Sequence, residues 1–194
     1  PQSAARQPNA AVSAVAGAAG HNPCTDRLDG VLIIIDAPNV AMRHGGSIKK
    51  KFSVKGIRLA MDHFKGLGAR VLGFMPDYYL DYERKSGLQR AKDLGFEVGA
   101  QRIPDDVTEL IKMVEDGELA TCPPQDYDDS YTISYARSHG GYVVSNDRYR
   151  DNIDNAPGEQ RQETLAWLRT HVISFTFVGD EFFPNPDFRI PRGL

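Results

Sequence analysis

Six polar side chains in three short stretches carry the chemistry open to this 194-residue chain: Asp36 and Asn39, Asp128 and Asp129, and Asp147 and Asp151. Carboxylates offer hard oxygen donors. Such a set suits Mg²⁺ or Mn²⁺, ions that take oxygen ligands and keep several waters beside one or two protein carboxylates. Without a cation the carboxylates would repel one another. A cation among them neutralises a phosphodiester, orients a water and lowers its pKa, and a second ion about 4 Å away also stabilises the leaving oxygen. The chemistry is hydrolysis by an activated water.

The acids mean most if one structural edge collects them. Val31-Leu32-Ile33-Ile34-Ile35 is a wholly apolar, β-branched run, the pattern of a strand buried on both faces in a parallel sheet, and it stops at Asp36. Val54 to Leu67 spaces its apolar residues by three and four and predicts an amphipathic helix, stopped by Gly66 and Gly68. Arg70 to Met75 predicts a second strand, Tyr82 to Leu94 a second helix, and Phe96 to Ala100 a third, weaker strand. Residues 101 to 126 are harder to read: Val107 to Val114 fits a helix, and Cys122-Pro123-Pro124 marks a loop. Asp128 to Ser138 then predicts a helix, Tyr142 to Ser145 a short strand ending at Asn146-Asp147, Gln160 to Arg169 a helix, and Val172 to Val178 a β-rich run. Alternating strands and helices imply right-handed βαβ units, hence an α/β domain of three α/β/α layers around a mainly parallel sheet. In such sheets ligands bind at the carboxyl ends of strands, which is where Asp36 and Asp147 fall. Asp147 and Asp151, four apart, would share one face of a first helical turn.

Each acid also has a structural reading. Asp126 or Asp128 would cap a helix N-terminus, Asp36 would serve a strand-end turn, and Ser145-Asn146-Asp147 would be a simple turn. Three separate acidic groups expected at one sheet edge favour a shared site instead.

Composition limits the alternatives. With 41% hydrophobic and 25% charged residues, the chain fits one ordinary globular domain. A folded region of roughly 160 residues buries about two thirds of its unfolded surface and needs no disulfide or structural metal. Cys24 and Cys122 have no zinc-site spacing and read as reduced thiols. Residues 1 to 28, rich in Ala, Gly, Ser, Pro and Asn, predict a disordered lead-in, leaving 29 to 194 as the domain. No run approaches the ~20 apolar residues of a membrane span and no signal peptide is visible, so an intracellular protein is expected, in cytoplasm, nucleus or mitochondrion. A net charge of −3 and a pI near 6.0 argue against gripping nucleic acid by bulk electrostatics, so any phosphate binding must be local.

Three segments resemble one family. Val31 to His44, Tyr127-Asp128-Asp129-Ser130-Tyr131, and Val143-Val144-Ser145-Asn146-Asp147-Arg148-Tyr149-Arg150-Asp151 closely resemble the NYN/PIN-like ribonuclease domain of the Regnase, CCCH zinc-finger-associated, family, over residues 31 to about 187. The resemblance implies a PIN-like fold and Mg²⁺-dependent endonucleolytic cleavage of single-stranded or loop RNA, in RNA processing or mRNA decay. It also implies an acidic site of Asp36, Asp128, Asp129, Asp147 and Asp151, with Asp36, Asp129, Asp147 and Asp151 as metal ligands. Asn39 matches the family's Asn beside the first acid and would orient a water or a phosphate oxygen. The chain departs from the family at Ala37-Pro38, where Gly-Ser is usual, which stiffens the loop. It departs again in residues 101 to 126, where Asp105, Asp106, Glu109, Glu115, Asp116 and Glu118 replace a basic RNA-contacting stretch. The companion zinc finger is absent from this chain, so added RNA affinity would come from partners or further domains; a homodimer is compatible with the pattern.

Arg43, His44, Lys49 to Lys51, Lys55 and Arg58 follow the first acid, and Arg148, Arg150 and Arg161 surround the last. Arg43, Lys55, Arg58, Arg148 and Arg150 are the candidates for RNA phosphates. The bland reading is a solvated charged loop. His44-Gly45-Gly46 reads as a mobile loop, and His44 is given no catalytic role. Tyr78, Tyr79 and Tyr82 would stack on bases or simply pack. Two other functions compete: a module of the same fold that binds RNA or protein without turnover, and a haloacid-dehalogenase-type phosphatase. The latter needs a second Asp two residues after the first, where this chain has Pro38.

Overall fold

The computed structural model describes residues 20–48, 52–81, 83, 86, 103–122 and 130–191. Its centre is a five-stranded parallel sheet of β2 (Leu32–Asp36), β3 (Arg70–Pro76), β4 (Leu119–Cys122), β5 (Tyr142–Val144) and β6 (Val172–Ile173), in the order β4-β3-β2-β5-β6. The apolar run of β2 makes it the central strand, because all five of its residues are buried. Successive side chains point to opposite faces. Ile33 and Ile35 join one cluster with α1 (Ala37–Ser47), α2 (Val54–Gly66) and α3 (Val107–Glu115). Leu32 and Ile34 join a second with α4 (Ser130–Ser138) and α6 (Gly158–His171). The two clusters make three layers.

The chain builds outward from β2 through β3 to β4, then crosses back to β5 and β6 on the other side. Strand order therefore reverses between β2 and β5, the position at which open α/β sheets form their ligand crevice. A short hairpin, β7 (Phe175–Val178) with β8 (Glu181–Pro184), presses Phe175, Phe177 and Phe182 into the α1 and α2 side.

Several expectations change. Residues 37 to 47 form a helix, not a stiffened loop: the Asp36 carboxylate caps its N-terminus, Pro38 sits in the first turn where no intrahelical N–H is required, and Val40, Ala41 and His44 face the core. His44 is wholly buried, so the mobile-loop reading of His44-Gly45-Gly46 is corrected. Its helix lies so close to α2 that a Cβ on Gly56 would come within 2.4 Å of the His44 Cβ. The β-rich run 172 to 178 breaks at Ser174 into β6 and β7. Strand β4 lies inside the segment left unread by periodicity. The disorder expected over residues 1 to 28 does not hold for 20 to 28, where β1 (Gly20–His21) pairs with β9 (Ile190–Pro191) and Leu28 is in the core. Residues 1–19, the strand expected at 96 to 100 and nearly all of the helix expected at 82 to 94 lie outside the described residues. No helix among the described residues is long and apolar enough to cross a membrane.

Candidate active site

Strand β2 ends at Asp36 and β5 ends one residue before Ser145, so the two neighbouring strands deliver both residues to the same sheet edge. Asp36 is only 4% exposed. Its Oδ1 accepts the Asn39 N–H (3.2 Å) and its Oδ2 accepts the Ser145 hydroxyl (2.7 Å). The same Ser145 Oγ accepts the Asp147 N–H (3.0 Å), so a single buried hydroxyl ties the first acid to the backbone of the third. Burial pushes the Asp36 carboxyl up to about 6, aided by the nearby Asp147 charge and opposed by the bonds from Ser145 and Asn39. Among the described residues no Lys or Arg forms an ion pair with Asp36, Asp147 or Asp151.

The loop after β5 is held from several sides. Asn146 donates its backbone N–H to Asn39 Oδ1 (3.0 Å). Its side chain brackets Phe175, donating to the carbonyl (2.9 Å) and accepting from the N–H (3.0 Å). Asp147 Oδ1 accepts the Tyr149 N–H at 2.7 Å, leaving Oδ2 without a partner among the described residues. Tyr149 makes that bond from a left-handed backbone, φ 49°, while its ring is buried among Leu32, Ile34, Phe74 and Val143. Burial of the ring offsets a backbone strain on the order of 1–2 kcal/mol. Ser145, Asn146 and Tyr149 are positioning residues not among the expected site residues; the signal for the first two was a hydroxyl and an amide directly beside the candidate acid Asp147.

The structure thus brings together Asp36, Asn39 and Asp147. Asp151 lies in the first turn of the short helix α5 (Arg150–Asp154), exposed to solvent, and makes no hydrogen bond to the other three. Asp128 and Asp129 lie outside the described residues; α4 begins at the next position. Among the described residues no group of three His, Cys, Asp or Glu stands close enough to hold a metal ion. Asp36 and Asp147, near enough for the charge of one to act on the other, still fit Mg²⁺ or Mn²⁺: they supply oxygen donors only, have no cationic partner among the described residues, and match the one or two carboxylates such ions use.

Asn39 Oδ1 accepts the Asn146 N–H, which fixes the side chain, and no described residue takes its amide Nδ2. As a donor, that end suits a phosphate oxygen or a water.

The basic candidates divide. Arg58 pairs with Glu109 at 2.6 Å and with Glu118, which also holds Lys65, so Arg58 is withdrawn from the phosphate-binding set. Lys55 pairs with Asp180 at 2.6 Å, and that carboxylate also meets His44 Nε2 at 3.1 Å. Arg43, Arg148 and Arg150 are exposed and form no ion pair among the described residues. Lys49 to Lys51 lie outside them. The acidic stretch also has internal uses: Asp105 accepts the Val54 N–H of α2, Asp106 caps α3, and Glu109 and Glu118 neutralise Arg58. Tyr79 is buried against Phe52 and packs, while Tyr82 lies outside the described residues. Replacing Arg58 with Ala should therefore cost about 1 kcal/mol in urea unfolding and leave RNA affinity unchanged in a binding titration; a clear loss of affinity in a fully folded variant would return Arg58 to the interface.

The described residues contain two free thiols, Cys24 and Cys122. The domain is similar to two structures of nuclear protein-only RNase P 2 (PRORP2) from A. thaliana. One matches at 20% identity and TM-score 0.56, over 84% of this chain and 31% of that one. The other matches at 18% identity and TM-score 0.54, over 80% and 30%. At these identities the likeness is one of fold, and the chain spans less than a third of the length of those proteins. The family model described as the Zc3h12a-like ribonuclease NYN domain matches residues 31–193, from the entry to β2 to the end of the fold. Since that match spans most of the sequence, the chain belongs to the Zc3h12a-like ribonuclease NYN domain family, a family of RNA-cleaving hydrolases.

Proposed function

We propose that this domain is an endoribonuclease that hydrolyses phosphodiester bonds in single-stranded or loop RNA at a Mg²⁺- or Mn²⁺-dependent site founded on Asp36 and Asp147. One observation carries the reading: a buried carboxylate with no cationic partner among the described residues, bonded through Ser145 to the loop bearing a second carboxylate, at the switch point of the sheet. Asp128, Asp129 and Asp151 complete the acidic set in this proposal. A divalent ion supplies Lewis-acid neutralisation of the phosphodiester and activation of a water nucleophile. The protein does the rest. Asp36 and Asp147 hold their oxygens toward the shared edge, Ser145 and Tyr149 fix the direction of each carboxylate, and the Asn39 amide donates to a non-bridging phosphate oxygen. Arg148 and Arg150, exposed beside Asp147, hold flanking phosphates.

A second reading is a module that binds RNA without turnover, and the meeting of only two acids among the described residues favours it. Incubating the purified domain with a labelled, unstructured RNA separates the two. Cleavage in Mg²⁺ or Mn²⁺, lost in excess chelator and restored by added Mn²⁺, is the expected result. Cleavage undiminished by chelator would overturn the metal role, and binding without cleavage under every metal tested would establish the second reading.

A further inference from the structure

Helix α1 links the acidic edge to a groove. Asn39, Met42, Arg43 and Gly46 fall at intervals of three and four residues, so they form one stripe along the helix, opposite the buried Val40, Ala41 and His44. The stripe starts at the candidate active site and ends, roughly 10 Å along the axis, in an open groove of about 390 Å³ between α1 and β7. Met42, Arg43, Gly46, Ser47, Thr176 and Phe177 line it. That volume lies within the roughly 300–1,000 Å³ of small-ligand sites.

The lining chemistry is specific. Arg43 is exposed and forms no ion pair among the described residues, and of those residues it is the only charged one lining the groove. Thr176 is exposed and its hydroxyl has no hydrogen-bond partner among them, so it offers a donor and an acceptor. Ser47 Oγ donates to the His44 carbonyl at 2.7 Å and retains acceptor capacity. The floor is apolar, made by Met42 and by Phe177, whose ring is braced edge-on by His44 at 4.8 Å. Above Gly46 the space is open: a Cβ there would meet none of the described residues within 4 Å.

We infer that this groove is a subsite for one nucleotide of single-stranded RNA flanking the scissile phosphate, an inference that rests on the endoribonuclease reading. Arg43 holds that nucleotide's phosphate, the base lies over Met42 and Gly46 against the rim of Phe177, and Thr176 bonds the base edge. The charge is complementary to a phosphate, and continuity along α1 with the acidic edge selects RNA as the occupant.

Gly46→Leu tests the inference cleanly. It fills the groove from a solvent-exposed position and replaces a glycine of ordinary backbone φ in the last turn of α1, which Leu favours by up to about 0.5 kcal/mol, so the variant should melt no lower than wild type. Binding is read by anisotropy with a labelled oligouridylate in chelator, and cleavage kinetics are read in Mn²⁺. Gly46→Leu and Arg43→Ala should each weaken binding about tenfold, the scale of one lost base or phosphate contact. Both should raise KM more than they lower kcat. Arg43→Ala should also lower the salt slope of binding by about one, Arg43→Lys should restore it, and Gly46→Leu should leave it unchanged. Weakened binding by Gly46→Leu in a wild type that does not cleave would support the groove while refuting hydrolysis. Wild-type cleavage together with unchanged binding and KM in both variants would refute the groove and leave hydrolysis standing.

Discussion

Replacing Asp147 with Asn is expected to lower RNA cleavage by about two to three orders of magnitude, the scale seen when one group that stabilises developing charge is removed. The fold should survive. Asp147 is exposed, and its Oδ1 bond to the Tyr149 N–H can be made equally well by an amide oxygen. An Asn in that orientation turns its NH₂ outward, so the free oxygen now directed away from Tyr149 is replaced by a donor that repels a cation. Single-turnover rates with saturating RNA, alongside a melting curve, measure both halves of the expectation. A folded Asp147→Asn variant that turns over like wild type would remove Asp147 from the active site.

Asp36 should behave differently, because it is buried. Its carboxyl is raised from 3.8 to about 6, so the folded protein resists the ionised form more than the unfolded chain does. Below pH 3.8 the acid is protonated in both states and nothing is lost. As pH rises from there through about 6, the unfolded chain ionises first and stability falls; above about 6 the full penalty is in place, on the order of 3 kcal/mol. Asp36→Asn escapes that penalty. It also sacrifices one of the two bonds from Asn39 and Ser145, about 1 kcal/mol. In chelator at pH 7.5 the variant should therefore be more stable than wild type by about 1–2 kcal/mol in urea unfolding, and the difference should vanish near pH 4. Adding Mn²⁺ should reverse the ranking, since a cation bound only by wild type contributes about 2.7 kcal/mol at about 100 times its Kd. An Asp36→Asn protein less stable than wild type in chelator at pH 7.5 would show that burial does not strain this carboxylate.

Both expectations come from a site whose parts differed in how readable they were. The apolar run ending at Asp36 and the one ending beside Asp147 marked two strand ends because buried parallel strands need uninterrupted apolar residues. The helix at 54 to 66 followed from its three- and four-residue spacing. Helix α1 escaped notice since Ala37-Pro38 and Gly45-Gly46 carry loop composition, and its stability comes from an Asp36 cap and from packing of Val40, Ala41 and His44 on the core. Strand β4 is too short, at four residues, to show a period. Phosphate-binding candidates were the least legible: Arg43 and Arg58 are both arginines near the first acid, yet Glu109 and Glu118, distant in sequence, take one and leave the other.

Sequence alone determined which side chains can do chemistry here, the alternation of strands and helices, and the family to which that order belongs, because residue type, local spacing and motif are properties of the chain read one stretch at a time. Only the tertiary structure decided that Ser145 joins Asp36 to Asp147, that Asn39 spends its oxygen on Asn146, and that Arg43 faces an open groove. Hydrogen-bond partners and burial depend on which distant segments come to lie within a few ångströms, and that is set by strand order, which no local pattern encodes.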